Sequence, residues 1–231
     1  MVLPIGAAIN AGAVVVGGCL GMLLGNRLPE RMRLIVFQAL GLCTIAIGMQ
    51  MSFKTSNPLY MVGSVLLGAI IGEALHLEET ITGGGDRLKR VLRSGNAYFT
   101  DGFITASLLF CIGSMAIFGS LQEGIGGDRT IVLTKTTLDF FAAIALGAAY
   151  GSGVMLASLP ILLYQGSLTL FAGAVSPWTS ELMRAELEAA GGIMVLGIGI
   201  NLLEIKKIPL SNFLPVFVVV VVLCLLVGKF Q

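Results

Sequence analysis

The chain has 231 residues, of which 56% are hydrophobic and 12% are charged, and its formal net charge at pH 7 is +1. A mean hydropathy of +0.94 excludes an ordinary water-soluble domain, because too few polar side chains are present to cover its surface. The near-zero net charge gives no field that would attract nucleic acid. The composition therefore indicates a membrane protein, and continuous apolar runs without strand-like alternation make helices the spanning element.

Apolar runs in chain order predict up to eight membrane crossings, since each crossing needs about 20 apolar residues. They cover residues 4–25, 33–52, 58–76, 101–120, 131–150, 152–173, 190–205 and 213–229. The fifth and sixth runs form one nearly continuous stretch, which as a single helix would extend about 64 Å, twice the hydrocarbon thickness. We expect it to break at Gly151-Ser152-Gly153. The prediction is one all-α transmembrane bundle over residues 1–231, with seven crossings as the open alternative to eight.

Basic residues in the connections predict the orientation of the helices. Nine of them follow the first, third and seventh runs, while four others fall in the connections on the opposite side. The nine are Arg27, Arg31, Arg33, Arg87, Lys89, Arg90, Arg93, Lys206 and Lys207; the four are Lys54, Arg129, Arg184 and Lys229, and Lys135 lies near the same boundary as these four. Both termini are therefore expected outside the cell, and the 77–99 segment is expected to be a flexible cytoplasmic loop.

A polar stretch between the sixth and seventh runs begins like a capped helix. Ser176 is placed as the N-cap, Pro177 as the first helical residue and Trp178 as an anchor in the interface. We expect residues 176–188 to lie along the outer membrane surface as a separate helix.

Self-similar segments predict an internal repeat. Gly6-Ala7-Ala8-Ile9-Asn10-Ala11-Gly12 matches Gly147-Ala148-Ala149-Tyr150-Gly151-Ser152-Gly153 at four of seven positions, 141 residues later. Gly41, Gly48 and Gln50 match Gly192, Gly199 and Asn201 at an offset of 151, and Asp101-Gly102-Phe103 matches Asp139-Phe140-Phe141 at an offset of 38. Chance matching among 31 glycines is the competing interpretation.

These matches pair runs one, two and three with runs six, seven and eight, and run four with run five. Members of each pair are separated by an odd number of crossings, so the two copies have opposite orientations. The predicted halves are residues 1–120 and 131–231. Many secondary transporters use such inverted repeats and bind their solute where the repeats meet.

Asp139 is the main candidate for an ion-binding group. An Asp at the centre of a membrane helix costs about 2.5 to 3.5 kcal/mol, so it needs a partner, a bound cation or a proton. The alternative is a carboxylate at a helix start, which applies if the fifth helix begins only after Thr137.

Four further residues support a binding site for a small cation. Asp101 lies where the fourth helix should begin, and it is either a capping residue or a second intramembrane acid. Glu73 and His76 share a helix face three residues apart, but a single histidine does not make a metal site. Asn10 and Asn201 lie beside glycines that would allow unwound backbone to line a cavity. The remaining intramembrane amides, Gln38, Gln50 and Gln165, are interpreted as packing contacts.

Enzyme chemistry is not expected. Gly151-Ser152-Gly153 lacks the glycine that the GxSG motif of rhomboid proteases places two residues before the serine, since Tyr150 stands there. The four cysteines show no CxxC spacing, and no cofactor motif is visible. We therefore expect no catalytic residues, no metal and no cofactor.

The whole chain resembles the YqgA/YdfK-type family of bacterial membrane proteins. The resemblance rests on Gly6-Ala7-Ala8-Ile9-Asn10-Ala11-Gly12 and its glycine-rich helix, on Asp101-Gly102-Phe103, and on Leu138-Asp139-Phe140 leading into Gly147-Ala148-Ala149-Tyr150-Gly151. It implies a bacterial inner-membrane location and supplies no substrate, because that family is uncharacterised. Asp139-Phe140-Phe141-Ala142 is also similar to the Asp-Ala-Phe-Ala motif of manganese-efflux proteins.

The leading hypothesis is a secondary transporter or permease for a small cation or amine, coupled to protons or cations through intramembrane carboxylates. A membrane scaffold or sensor that docks a partner on the 77–99 segment, and a passive channel, are the alternatives. The expected partners are the lipid bilayer and a small cationic solute, with no nucleic acid. A homo-oligomer is left open.

Overall fold

The computed structural model describes residues 3–25, 29–112, 114–175 and 180–227. All regular secondary structure within these ranges is helical. Eleven α-helices are described: α1 Ile5–Gly25, α2 Glu30–Ser52, α3 Pro58–Ala74, α4 Leu77–Val91, α5 Phe99–Cys111, α6 Ser114–Gly126, α7 Thr130–Tyr150, α8 Ser158–Leu170, α9 Ala172–Val175, α10 Glu181–Leu202 and α11 Val216–Val227. Two 3₁₀ turns, Gly151–Ala157 and Leu210–Phe213, precede α8 and α11. The predicted all-α class is confirmed.

The helices form two compact units, and each unit combines two separate segments of the chain. The first consists of Met1–Phe37 and Thr82–Pro177, and the second of Gln38–Ile81 and Trp178–Gln231. The predicted halves 1–120 and 131–231 are therefore not the compact units, because each unit takes helices from both halves. The halves were predicted as two repeats of opposite orientation, and they stay a prediction.

In the first unit, α1 runs parallel to α7. A Cβ atom added at Gly17 would lie 2.6 Å from the Phe140 carbonyl oxygen, and one added at Gly21 would overlap the Ile144 carbonyl oxygen. The contacts advance in the same direction along both helices, so α1 and α7 are parallel. Small residues on α1 thus allow the backbones to approach closely, which drives helix association in a membrane.

The chain reverses direction after α7, as predicted. Asp139 of α7 and Gln165 of α8 both contact the Asn10 side chain, whereas a straight helix would separate them by about 39 Å. The reversal begins at Gly151, whose φ of 76° lies in the left-handed region that favours glycine. Residues Thr130–Leu170 qualify by length and composition as one span of 41 residues, but they fold into two antiparallel arms.

In the second unit, α2 packs against α10 through glycines, and α3 packs against α11. Cβ atoms added at Gly48 and Gly192 would each lie 2.8 Å from the carbonyl oxygen of the other glycine. Gly68 meets Val216, at the start of α11. Both pairs are antiparallel. Gly41 contacts Gly199 and Gly48 contacts Gly192, and along α3 Gly68 contacts Val216 whereas Gly72 contacts the earlier residue Asn212.

Helices long and apolar enough to cross a membrane are present. The described residues contain three such segments, Ile5–Gly25, Thr130–Leu170 and Glu181–Leu202. The count rises to five if the bent pair Pro58–Ala74 with Leu77–Val91, and the pair Phe99–Cys111 with Met115–Gly126, are each taken as one span. The eight predicted crossings exceed this count and stay a prediction.

Two segments differ from the expectations. The 77–99 segment is helical over Leu77–Val91 rather than a loop. Its acidic residues lie in the first turn and its basic residues in the last, and this arrangement of charges stabilises a helix through the helix dipole. Residues Glu181–Leu202 form one continuous helix with Ser180 as N-cap, so the separate surface helix over 176–188 is wrong. Ser176, Pro177 and Trp178 lie outside the described residues.

Candidate functional site

A cluster of buried polar side chains joins α1, α7 and α8 inside the first unit. Asn10 is fully buried, and its Nδ2 donates hydrogen bonds to Asp139 Oδ2 at 2.9 Å and to Gln165 Oε1 at 3.3 Å. Two residues selected from sequence, Asn10 and Asp139, are therefore in contact although 129 positions separate them. Gln165, interpreted as a packing residue, belongs to the same cluster.

Lys135 is the charged partner of Asp139. Its Nζ donates to Asp139 Oδ2 from one turn earlier on α7, and both side chains are almost fully buried, at 7% and 10% exposure. From the sequence we expected Asp139 to have a charged partner, a bound cation or a proton, and in the structure Lys135 is that partner. The i,i+4 spacing of the two residues was the available signal. Asp139 lies in the third turn of α7 and not at its start.

The cluster retains unused hydrogen-bonding capacity. Asn10 Oδ1 and Gln165 Nε2 are buried and have no hydrogen-bond partner among the described residues. One is an acceptor and the other a donor. Unpaired buried groups cost free energy comparable to a lost hydrogen bond, so this position favours occupation by a solute or water that can both donate and accept.

Glu123 forms a second buried charge one helical turn from the cluster. Its Oε1 accepts hydrogen bonds from the Gly6 backbone N–H at 2.8 Å and from Arg129 Nε at 2.7 Å, while Oε2 is unpartnered. Gly6 precedes Asn10 by four residues on α1. Arg129 is 35% exposed although Glu123 is fully buried. Sequence reasoning missed Glu123, because it lies three residues beyond the end of the fourth apolar run and beside a glycine, a position typical of a surface residue.

The three other predicted residues do not join this cluster. Asp101 is exposed in the first turn of α5, which agrees with the helix-start alternative. Asn201 uses both ends of its amide locally, donating to the Ile208 carbonyl at 2.9 Å and accepting from the Ile208 N–H at 2.8 Å. The Asn201 amide therefore stabilises the connection that follows α10.

Glu73 lies in the second unit and accepts a hydrogen bond from Asn212 Nδ2 at 2.6 Å. Its expected neighbour His76 instead lies 3.7 Å from Glu79 and has a φ of 51° at the bend between α3 and α4. Within the described residues, no group of three or more His, Cys, Asp or Glu side chains could hold a metal ion.

Two carboxylates in the second unit cap the starts of helical segments. Glu186 is fully buried and accepts from Thr55 Oγ1, Ser56 N and Asn57 N at 2.7, 2.8 and 2.9 Å. Glu78 Oε2 accepts from Ser211 N at 3.1 Å. Both acids meet a Ser-Asn pair at the start of a helical segment, where the dipole favours negative charge. Sequence reasoning missed this pair of contacts.

Comparison with known proteins places this architecture in a family. The family model described as protein of unknown function DUF554 matches residues 5–225. An uncharacterised protein of Escherichia coli strain K12, YqgA, is 38% identical over 218 residues, covering 92% of this chain and 93% of that protein. An uncharacterised membrane protein of Bacillus subtilis strain 168, YdfK, is 29% identical over 214 residues, covering 91% of each. No solved structure matches the chain.

Proposed function

The chain belongs to the DUF554 family of membrane proteins of unknown function, and we propose that it is a secondary transporter for a small cation or amine. The observation that carries the proposal is the buried cluster of Asn10, Lys135, Asp139 and Gln165. An ionisable pair inside a membrane bundle is expensive, and such groups commonly mark ion or proton pathways.

The proposed solute competes with the Lys135 ammonium for the Asp139 carboxylate. A small cation or a protonated amine can bind Asp139 together with the free Asn10 Oδ1, since both are acceptors. The free Gln165 Nε2 donates to an oxygen of the solute or of its hydration water. All three groups come from different helices, α1, α7 and α8, so a change in their packing alters the affinity.

Charge balance then specifies the coupling. In the proposed cycle the site without solute holds Lys135 as an ammonium and Asp139 as a carboxylate, so it is neutral. When a monovalent cation enters, neutrality is kept if Lys135 loses one proton, changing from –NH₃⁺ to –NH₂. The exchange is one proton for one cation. The proposed first acceptor of that proton is the Glu123 carboxylate, one turn away along α1, while Arg129 stays charged beside it, because a guanidinium does not release its proton.

An inverted repeat is part of the proposal, and the composition of the two units supports it. The predicted equivalent runs are one and six, four and five, two and seven, and three and eight. The first unit contains α1 with α8 and α5–α6 with α7; the second contains α2 with α10 and α3 with α11. Apart from α4, α9 and the first two turns of α2, each unit therefore consists of complete pairs of equivalent helices.

Reciprocal glycine contacts support the same symmetry. The sequence makes Gly41 equivalent to Gly192, and Gly48 equivalent to Gly199. Added Cβ atoms at Gly41 and Gly199 would lie 3.2 and 2.9 Å from the carbonyl oxygen of the opposite glycine, and the Gly48 and Gly192 pair gives 2.8 Å in both directions. Exchanging equivalent residues converts one contact into the other, as a local two-fold axis between α2 and α10 requires.

The Ser-Asn pairs extend this symmetry to the next helices. Ser56-Asn57 precedes α3 and Ser211-Asn212 precedes α11, 155 residues later. A glutamate from another helix accepts a backbone hydrogen bond from each pair, Glu186 at the first and Glu78 at the second. Chance glycine matches do not explain this agreement between polar residues.

We also propose a multi-pass protein of the bacterial inner membrane, with eight crossings and both termini outside. Alternating crossings would make α1 and α7 parallel and would make α1 antiparallel to α8, α2 to α10, and α3 to α11. The contacts within each unit agree with all four relations. The excess of Lys and Arg on one side gives the orientation.

The test is ion-driven proton movement in proteoliposomes that contain a trapped pH-sensitive dye. Purified wild-type protein is reconstituted, and pulses of Na⁺, Li⁺, K⁺ and methylammonium chloride are added separately. We expect at least one cation to drive saturable proton release that protein-free liposomes lack. Asp139→Asn should lower the rate to the protein-free level, because the site loses the charge that attracts the cation.

Asp128→Asn is the matched control, since Asp128 is an exposed acid outside the bundle and its loss should leave the rate unchanged. Equal rates for wild type and Asp139→Asn would remove Asp139 from the mechanism. A rate that rises linearly with cation concentration would favour a passive channel, and no response to any cation would favour the scaffold.

A further inference from the structure

A groove in the second unit lies where α3 ends and where the chain enters the 3₁₀ turn Leu210–Phe213. Its volume is about 780 Å³, within the range that small-molecule sites occupy. One part of its wall is apolar and includes Ile70, Pro209 and Phe213, while the other carries Glu73, Lys206 and Lys207. The groove is therefore amphipathic, with its charged side chains on one part of the wall and its apolar side chains on the other.

The charged wall presents both signs. Lys206 and Lys207 are exposed, and no ion pair is formed by either within the described residues. Glu73 is also exposed, and its Oε2 accepts from Asn212, which leaves Oε1 available. A ligand that carries an anionic group and a cationic donor would be complementary to this wall.

The apolar wall continues onto the outside of α3. Ile70 is 64% exposed and Leu75, at the end of the helix, is 61% exposed. In a membrane helix such side chains contact acyl chains, and basic residues beside the helix ends lie at headgroup level. The groove thus combines a hydrocarbon contact with a charged surface at the depth of lipid headgroups.

We propose that this groove binds a phospholipid whose headgroup contains both a phosphate and a primary ammonium, as in phosphatidylethanolamine. The phosphate lies against Lys206 and Lys207, the ammonium donates to Glu73, and an acyl chain packs along Ile70 and Phe213. This site is independent of the Asp139 cluster, so it stands even if the protein transports nothing.

The test is lipid binding measured by native mass spectrometry on the full-length, delipidated protein in detergent. Phosphatidylethanolamine, phosphatidylcholine and phosphatidylglycerol with identical acyl chains are titrated separately. We expect phosphatidylethanolamine to bind at least several-fold more tightly than phosphatidylcholine, because the quaternary ammonium of the latter has no N–H to donate. Inorganic phosphate at millimolar concentration should not displace the lipid, since it lacks the acyl contact.

Two variants test separately the contacts proposed for the phosphate and for the ammonium. Lys206→Gln/Lys207→Gln should weaken phosphatidylethanolamine and phosphatidylglycerol alike, by about tenfold or more, because each lysine near a membrane surface contributes about 1 kcal/mol. Glu73→Gln keeps an oxygen for Asn212 but should remove the preference for phosphatidylethanolamine over phosphatidylcholine.

Lys89→Gln/Arg90→Gln is the control, an adjacent basic pair on α4 that does not line the groove, and it should bind lipid as wild type does. Three results would overturn the proposal: equal binding of the three lipids, unchanged binding in the Lys206→Gln/Lys207→Gln variant, or an equal loss in the control. Displacement by inorganic phosphate would indicate a simple anion site instead and would also overturn it.

Discussion

Replacing Lys135 with methionine should destabilise the protein strongly, because it leaves Asp139 buried with only the Asn10 amide as a partner. Removing one member of a buried ion pair costs about 3–5 kcal/mol. For a protein of this size each kcal/mol shifts the melting temperature by about 2–4 °C. Lys135→Met should therefore lower the melting temperature by roughly 6–20 °C.

The chain contains a second pair for comparison in which the lysine is exposed. Lys54 and Glu188 lie 2.5 Å apart, and their side chains are 58% and 16% exposed. Exposed pairs contribute about 0–1 kcal/mol, so Lys54→Met should shift the melting temperature by less than about 4 °C. Both variants make the same substitution, and they differ in the burial of the lysine.

The assay is thermal unfolding of purified protein in one detergent at one heating rate, followed by far-ultraviolet circular dichroism. Lys135→Met/Asp139→Asn should recover most of the loss, because the second change removes the unpaired charge and keeps an oxygen for Asn10. The reasoning is refuted if Lys135→Met is no more destabilising than Lys54→Met, or if the double variant melts no higher than Lys135→Met alone.

Three further predictions follow from packing and capping. Gly21→Ala should lower the free energy of unfolding by about 1–3 kcal/mol, because the new Cβ overlaps the backbone of α7. Gly12→Ala should be neutral or stabilising, because a Cβ at Gly12 would have nothing within 4 Å. Thermal melts of the two variants compare these effects. Glu186→Ala should loosen the start of α3 by removing three hydrogen bonds, which faster trypsin cleavage after Lys54 would report, and unchanged cleavage would contradict the capping role. Hydrogen bonds from the Thr130 backbone N–H, and then from its hydroxyl, lower the pKa of Asp128. Wild type should therefore be more stable than Asp128→Ala at neutral pH, and this difference should shrink as the pH falls below about 4. A difference that persists at lower pH in melting scans would contradict the prediction.

The sequence predicted the parts of the fold that depend on local signals. The reversal at Gly151 follows from the length of the apolar stretch and from a glycine that tolerates positive φ. The start of α10 was misread because its first turns carry charged residues, so the apolar run begins only at residue 190. Those charges are explained by distant partners: Glu186 contacts residues about 130 positions earlier in the chain, which no local window can detect.

The candidate site shows the same limit. Asp139 and Asn10 could be selected because polar groups in apolar runs need partners, but which partner each has depends on how α1, α7 and α8 pack. Asn201 has similar glycine-rich surroundings, yet its amide closes a local connection. Lys135 lies near a predicted membrane boundary and was grouped there with the basic residues of the connections, although its side chain is only 7% exposed.

Recovery of stability in Lys135→Met/Asp139→Asn also separates a structural pair from a functional one. Replacing a buried ion pair by neutral side chains of similar volume is often neutral or stabilising, so stability alone gives no reason to have this pair in the bundle. Under the transport proposal the double variant should fold, melt near the wild-type temperature and still show no cation-driven proton release, because neither the carboxylate nor the exchangeable proton remains. Proton release at the wild-type rate from this folded variant would mean that Lys135 and Asp139 only join helices. The transporter proposal would then need another site, and Glu123, buried with one unpartnered oxygen, is the acid to replace next.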